Sequence, residues 1–153
     1  MAVALVCPQM PQAGQVIQGR DGFRLRLLQT AAETGGELLE MEVSYGGTGG
    51  LPPEHLHPRQ VERFEVLEGT VRSIIGGVER RFEVGEEFEV PAGTPHQMAG
   101  DGPARMRWEV RPALRTAEFF ERLHGDGPDS ASSAPSIAEF LAEFGDEIRF
   151  TGA

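Results

Sequence analysis

Between residues 16 and 111 the chain alternates apolar and polar side chains in short stretches, each broken by a Gly, Pro or Asp cluster. Successive strand residues point to opposite faces, so this two-residue period builds half-buried β-strands and excludes long amphipathic helices from the region. Phe23, Leu25 and Leu27 alternate with Arg24 and Arg26, and Leu39, Met41, Val43 and Tyr45 alternate with Glu40, Glu42 and Ser44. The cleanest case is RMRWEVR at 105–111, where Met106, Trp108 and Val110 oppose Arg105, Arg107, Glu109 and Arg111. Many short strands joined by turn signals predict a barrel or a sandwich.

Beyond Pro112 the period changes. Thr116 is placed to N-cap a short helix, AEFFERLH, which stops at Gly125 and carries Phe119, Phe120 and Leu123 on one face. His124 falls in its last turn, where the helix dipole favours a cation, and reads as a structural end residue. GDGPDSASSAP at 125–135 has linker composition. Ser136 with Glu139 three residues on is a capping-box signature for a second helix, with Ile137, Phe140, Leu141 and Phe144 as its apolar side. The expected organisation is a tail over 1–15, a barrel over 16–112 and a helical extension over 113–153. A length of 153 residues suits one such domain.

The charge balance narrows the partners. Fourteen Lys and Arg against 24 Asp and Glu give a formal −10, and the arginines are scattered singly along strand faces, so nucleic-acid binding is disfavoured. The single cysteine, Cys7, cannot form an intramolecular disulfide, which fits a reducing, cytoplasmic setting and leaves Cys7 an inert tail residue. The apolar run in MAVALVCPQM ends after seven residues and lacks a basic leader, too short for a signal peptide or a membrane span.

Two glycine-anchored motifs carry the chemistry. The first is G-x5-H-x-H-x4-E-x6-G, running from Gly49 through His55, His57 and Glu62 to Gly69. The second is G-x5-P-x-G-x2-H, from Gly85 through Pro91 and Gly93 to His96, and fifteen residues separate the two. In content, order and spacing they resemble the two motifs of the cupin superfamily, over about residues 40–110. The resemblance implies an all-β fold, a single double-stranded β-helix or jelly-roll barrel, here followed by two short C-terminal α-helices. It also implies that His55, His57, Glu62 and His96 ligate one divalent metal ion. The asparagine that usually closes the second motif is Gly100 here; it is not a ligand position, so the ligand set stands.

The residue chemistry supports the same set from another direction. His55 and His57 are two apart, so on an extended strand both imidazoles face one side. Glu62 shares parity with Phe64 and Val66, which turns a carboxylate inward among apolar neighbours, a costly placement unless a cation meets it. Three imidazoles and a carboxylate suit Fe, Mn, Ni, Co, Cu or Zn, with no thiolate to select among them. HxH alone is a weak signal, and satisfied loop histidines are its plain alternative; the second motif at its proper spacing favours ligation. GGTGG at 46–50 reads as a turn, because LPP and not a helix start follows it. Adjacent Glu86 and Glu87 point apart on a strand and read as a solvated edge.

Inward parity nominates Met41, Tyr45, Phe64, Met98, Met106 and Trp108 for a mostly apolar pocket, with plain barrel core as the alternative for each. Tyr45 and Gln97 are its candidate hydrogen-bonding groups. The family resemblance implies a small-molecule ligand and allows dioxygenases and isomerases among other activities; no catalytic base stands out. A non-catalytic, metal-dependent ligand-binding module is the competing expectation. A homodimer is expected, since small proteins resembling cupins often pair through barrel strands and the helices have apolar faces that need cover.

Overall fold

The computed structural model describes residues 10–47, 50–125, 130–131 and 136–152. Cys7, most of the N-terminal tail, Thr48 and Gly49 of the glycine run, and most of the 125–135 linker lie outside the described residues. Eleven strands and three helices follow in the order β1 (Val16–Gln18), β2 (Arg24–Gln29), α1 (Ala31–Thr34), β3 (Leu39–Tyr45), β4 (His55–Leu56), β5 (Val61–Glu68), β6 (Val71–Ile75), β7 (Val78–Phe82), β8 (Glu87–Val90), β9 (His96–Gly100), β10 (Ala104–Arg111), α2 (Thr116–His124), α3 (Ile137–Glu143) and β11 (Arg149–Phe150). They form two antiparallel sheets, a six-stranded one ordered β1-β2-β3-β10-β5-β8 and a five-stranded one ordered β11-β4-β9-β6-β7.

The alternation read from the sequence sets which side chains lie between the sheets. On β10, Met106, Trp108 and Val110 are buried, while Arg105, Arg107 and Arg111 face outward and pair with glutamates on their own and neighbouring strands. Register then stacks the inner face in rows: Trp108 lies opposite Met41 of β3 and Phe64 of β5, and Val110 lies opposite Glu62. Phe64, Phe88 and Phe82 continue as a stack of rings, at 4.9 and 3.8 Å between centroids. Gly69 turns β5 into β6 at φ +72, and a Cβ there would run into the Pro103 carbonyl, so the position requires glycine on two counts.

The segments flanking the barrel depart from the sequence expectations. A one-turn helix, α1, was not expected; Thr30 caps it and Glu33 completes a capping box. Residues 10–15 are tied to the barrel edge, with Gly14 N–H donating to Leu27 O at 2.8 Å. Thr116 is not the N-cap of α2: that place falls to Arg115, and the Thr116 hydroxyl instead joins the buried Gln60 amide, which also donates to the Pro112 and Ala113 carbonyls. The competing buried partner draws the threonine into the helix. In α3 the Ser136 cap is present, but Ile137 is 58% exposed and lies outside the cluster that Phe140, Phe144 and Leu141 form with Phe119.

His124 is not a helix-end cation. It is half-buried between Phe23 and Phe120, and burial pushes its imidazole pKa down, toward the neutral form. After α3 the chain returns to add β11 to the edge of the five-stranded sheet, where Phe150 lies opposite His55. Among the described residues no helix is long and apolar enough to cross a membrane.

Candidate metal centre

The ligand candidates come from both sheets and meet between them. His55 on β4 and His96 on β9 are direct cross-strand partners, with ring centroids 4.4 Å apart. β4 ends at Leu56, yet His57 turns to the same side, 5.1 Å from the His55 ring and 5.3 Å from the His96 ring. The ligand atoms of the three imidazoles all lie within 4.8 Å of one another. His57 and His96 are buried, and His55 borders a cavity.

The outer nitrogen of each ring is fixed. Nδ1 of His55 lies 3.1 Å from Pro53 O, that of His57 2.7 Å from Glu147 O, and that of His96 2.8 Å from Thr94 O. A carbonyl only accepts, so each Nδ1 donates, and each neutral ring keeps its lone pair on Nε2. This is the arrangement that orients metal-ligating histidines, in which a second partner sets the tautomer and the ring direction.

Glu62 reaches the cluster from β5 of the opposite sheet, fully buried. Its Oε2 accepts from Trp108 Nε1 at 2.7 Å. Its Oε1 lies 3.2 Å from His57 Nε2 and 2.9 Å from His96 Nε2, so the carboxylate adjoins two of the three imidazoles. His57 Nε2 and Glu62 Oε1 are nonetheless buried without a hydrogen-bond partner. With the rings neutral, lone pairs converge here with no proton between them, and buried polar atoms left so are costly.

The protonation tendencies follow from that crowding. Burial alone would raise the Glu62 carboxyl, but the His57 and His96 rings beside it outweigh burial and hold it well below the usual carboxylate range. Burial alone would lower His57, but the Glu62 charge and the Glu147 carbonyl shift it upward. His55 is pushed down to about 4, first by burial and then by His96. The cluster therefore draws positive charge toward the Glu62 oxygen while His55 stays a neutral donor. An N3O set with orphaned acceptors fits a divalent transition metal.

A cavity of about 250 Å³ opens over His55, Glu62 and His96. Tyr45, Phe64, Met98 and Trp108 line it from the barrel, with Phe23, Pro52 and Pro53 at its rim. Met41 and Met106 do not line it: both are fully buried in the barrel core, among the side chains of β3, β10 and β5. Gln97 is also absent, its amide being used to hold the Pro52 carbonyl at 2.9 Å. A second cavity, about 290 Å³, between Met10, α1 and α2 holds none of the histidines.

Sequence reasoning missed the wall on the other side. Phe119, Phe120 and Leu123 of α2, with Ile148 and Phe150 near the C-terminus, line the same cavity. The apolar face of α2 was a signal that something needed cover, but not that this something was the site. Two further roles had no sequence signal: the Trp108 indole on Glu62 and the Glu147 carbonyl on His57.

The cupin domain family matches residues 40–110, and no curated protein matches the chain. Among solved structures the fold is similar to KdgF from Halomonas sp. (TM-score 0.59, 18% identity, 67% of this chain and 90% of that chain). It is also similar to an RmlC-like cupin from Shewanella frigidimarina NCIMB 400 (TM-score 0.56, 18% identity, 68% of this chain and 88% of that chain). A recombinant oxalate oxidase, in complex with glycolate, matches at TM-score 0.51 and 26% identity over 71% of this chain and 60% of that chain. The domain match falls on the strands that carry Glu62 and the histidines, and the similar folds share the two-sheet barrel: residues 40–110 form a cupin domain.

Proposed function

We propose that the chain is a metal-dependent enzyme in which His55, His57, His96 and Glu62 hold one divalent transition metal ion (Fe, Mn, Ni, Co, Cu or Zn) and a small organic substrate enters the adjoining cavity. The observation that carries the reading is that His57 Nε2 and Glu62 Oε1 are buried without a hydrogen-bond partner beside the His55 and His96 rings, each of the three rings locked from behind by a backbone carbonyl. Bound there, such an ion supplies a Lewis acid for a substrate oxygen or, if redox-active, a centre for dioxygen chemistry, which is the dioxygenase or isomerase type of activity.

The chain's own residues define the rest. Trp108 holds one oxygen of Glu62 and leaves the other for the cluster. Phe64, Phe120 and Phe150 give the space above it apolar walls. The Tyr45 hydroxyl, raised above its ordinary range by burial and the Glu62 charge, keeps its proton at neutral pH and serves as a donor, not a base.

The lack of a free general base among the described cavity residues favours a second reading, a non-catalytic module in which the metal orients a bound ligand. Assembly as a homodimer belongs to either reading; a sharp monomer in light scattering at micromolar concentration would remove it. Elemental analysis of protein purified without an affinity tag, beside a His55→Ala/His57→Ala double variant, is the test. About one equivalent of metal in the parent and none in the variant supports the centre, and none in either after reconstitution overturns it. Turnover or dioxygen uptake lost in His57→Ala then selects the enzyme, whereas tight ligand binding without product selects the module.

A further inference from the structure

The cavity restricts what can occupy it more closely than the metal centre alone does. We infer that it takes a compact ligand with an aromatic or comparably apolar body, which presents one negatively charged oxygen to the metal and one neutral acceptor to the Tyr45 hydroxyl. The inference rests on the metal-binding reading above and adds the chemical class of the ligand.

The charge argument comes first. Among the described residues no Lys or Arg lines the cavity, and its ionisable lining groups are Tyr45, His55, Glu62 and His96. A divalent ion beside one carboxylate and neutral imidazoles leaves one positive charge. A single anionic oxygen balances it, while a second negative charge would sit uncompensated in an apolar enclosure, where unpaired charge is strongly disfavoured. The field outside points the same way. A neighbouring pocket that shares Phe23, Tyr45, Pro52 and Met98 with the cavity is lined by Arg20 and Asp21, which cancel, and the chain's −10 repels polyanions.

The walls supply the second argument. Phe64, Phe120, Phe150, Met98 and Leu123 surround the space, a lining that favours a flat apolar body through burial and ring contacts. About 250 Å³ is at or below the ~300–1,000 Å³ range common for small-molecule sites, so the body is one ring in size. Tyr45 supplies the third. Its ring rests edge-on against Phe23, 6.1 Å between centroids, and its hydroxyl has no hydrogen-bond partner among the described residues. A hydroxyl donor on the cavity lining with no partner of its own offers a hydrogen bond that a ligand carbonyl or ether oxygen accepts.

The experiment uses the zinc-reconstituted full chain and isothermal titration with benzohydroxamate, acetohydroxamate and oxalate. The two hydroxamates share a head with one anionic and one carbonyl oxygen and differ by phenyl against methyl; oxalate is a dianion with no apolar body. Benzohydroxamate is expected to bind at least about tenfold more tightly than acetohydroxamate, and oxalate more weakly than either. Tyr45→Phe is expected to weaken both hydroxamates by roughly 3- to 10-fold without changing zinc content. Oxalate binding as tightly as benzohydroxamate, equal affinity of the two hydroxamates, or no effect of Tyr45→Phe overturns the inference while leaving a zinc-loaded chain, and so the metal reading, intact. A chain that takes up no zinc overturns both.

Discussion

The molecule has two apolar cores built on different principles. In the barrel, Leu25, Leu27, Met41, Val43 and Met106 are wholly buried aliphatic or thioether side chains, aligned by hydrogen-bond ladders between strands far apart in sequence. In the C-terminal extension, Phe119, Phe140, Phe144 and Ile148 form a small cluster of mainly aromatic rings. Two arginines cover it, Arg115 at 4.6 Å and Arg122 at 5.2 Å from the Phe144 ring centre, and both pair with Glu143. The ladders keep the barrel's shape largely independent of any one side chain, whereas the extension depends on a few large rings and on partly exposed charges. The candidate ligands belong to the first region and one wall of the cavity to the second, and the two regions meet where the Glu147 carbonyl holds His57 and β11 pairs with β4.

The strongest way to break that contrast is Phe144→Ala. It removes the most buried ring of the smaller core, and such truncations cost about 3–5 kcal/mol. Denaturant titration should show the loss, and amide hydrogen exchange should rise in α3 and β11 while β10 stays protected. Equal loss of protection in β10 would mean that the two regions are one cooperative unit.

Trp108→Phe tests the barrel side. It keeps a ring beside Phe64 but removes the donor to Glu62 Oε2, leaving a buried carboxylate oxygen without its partner. Zinc affinity measured by chelator competition should fall roughly 10- to 100-fold, the usual effect of losing such an outer contact. An unchanged affinity would show that Glu62 needs no indole to hold its place.

The smallest effect concerns the surface charges. Hydrogen bonds from Arg122 and then Arg115 lower the Glu143 carboxyl pKa to about 2. A group depressed on folding contributes above its unfolded value, about 4.3, and that contribution is lost as pH falls toward the folded value. Because the Glu143 carboxylate is exposed, the gain is discounted by solvent to under about 1 kcal/mol. Glu143→Gln should flatten the pH dependence of the extension's stability between about 4.3 and 2. Superimposable profiles for parent and variant would assign the link between α2 and α3 to the rings alone.

Legibility in the sequence followed physical range. The burial of Glu62, Phe64 and Val66 with Arg63 exposed follows from parity on one strand. The convergence of His55, His57 and His96 follows from motif spacing. By contrast, Thr116 at the head of α2 could not be distinguished from a cap, because its true partner, Gln60, is 56 residues away. Ile137 looked like a core position because helical period reports a face, not how far the neighbouring elements extend along it. Met41 and Met106 had the right parity for the pocket, but parity does not say where along the inner face the packing opens.

The sequence by itself determined the two-residue rhythm of the barrel and the residues that turn inward, since both are written in neighbours on one strand. Only the tertiary structure decided that Glu62 from one sheet would meet histidines from the other and that Trp108 would hold its second oxygen. It alone brought Glu147 onto His57 across 90 residues and set Phe150 beside His55. Contacts of that range depend on the path of the whole chain, and no local period encodes them.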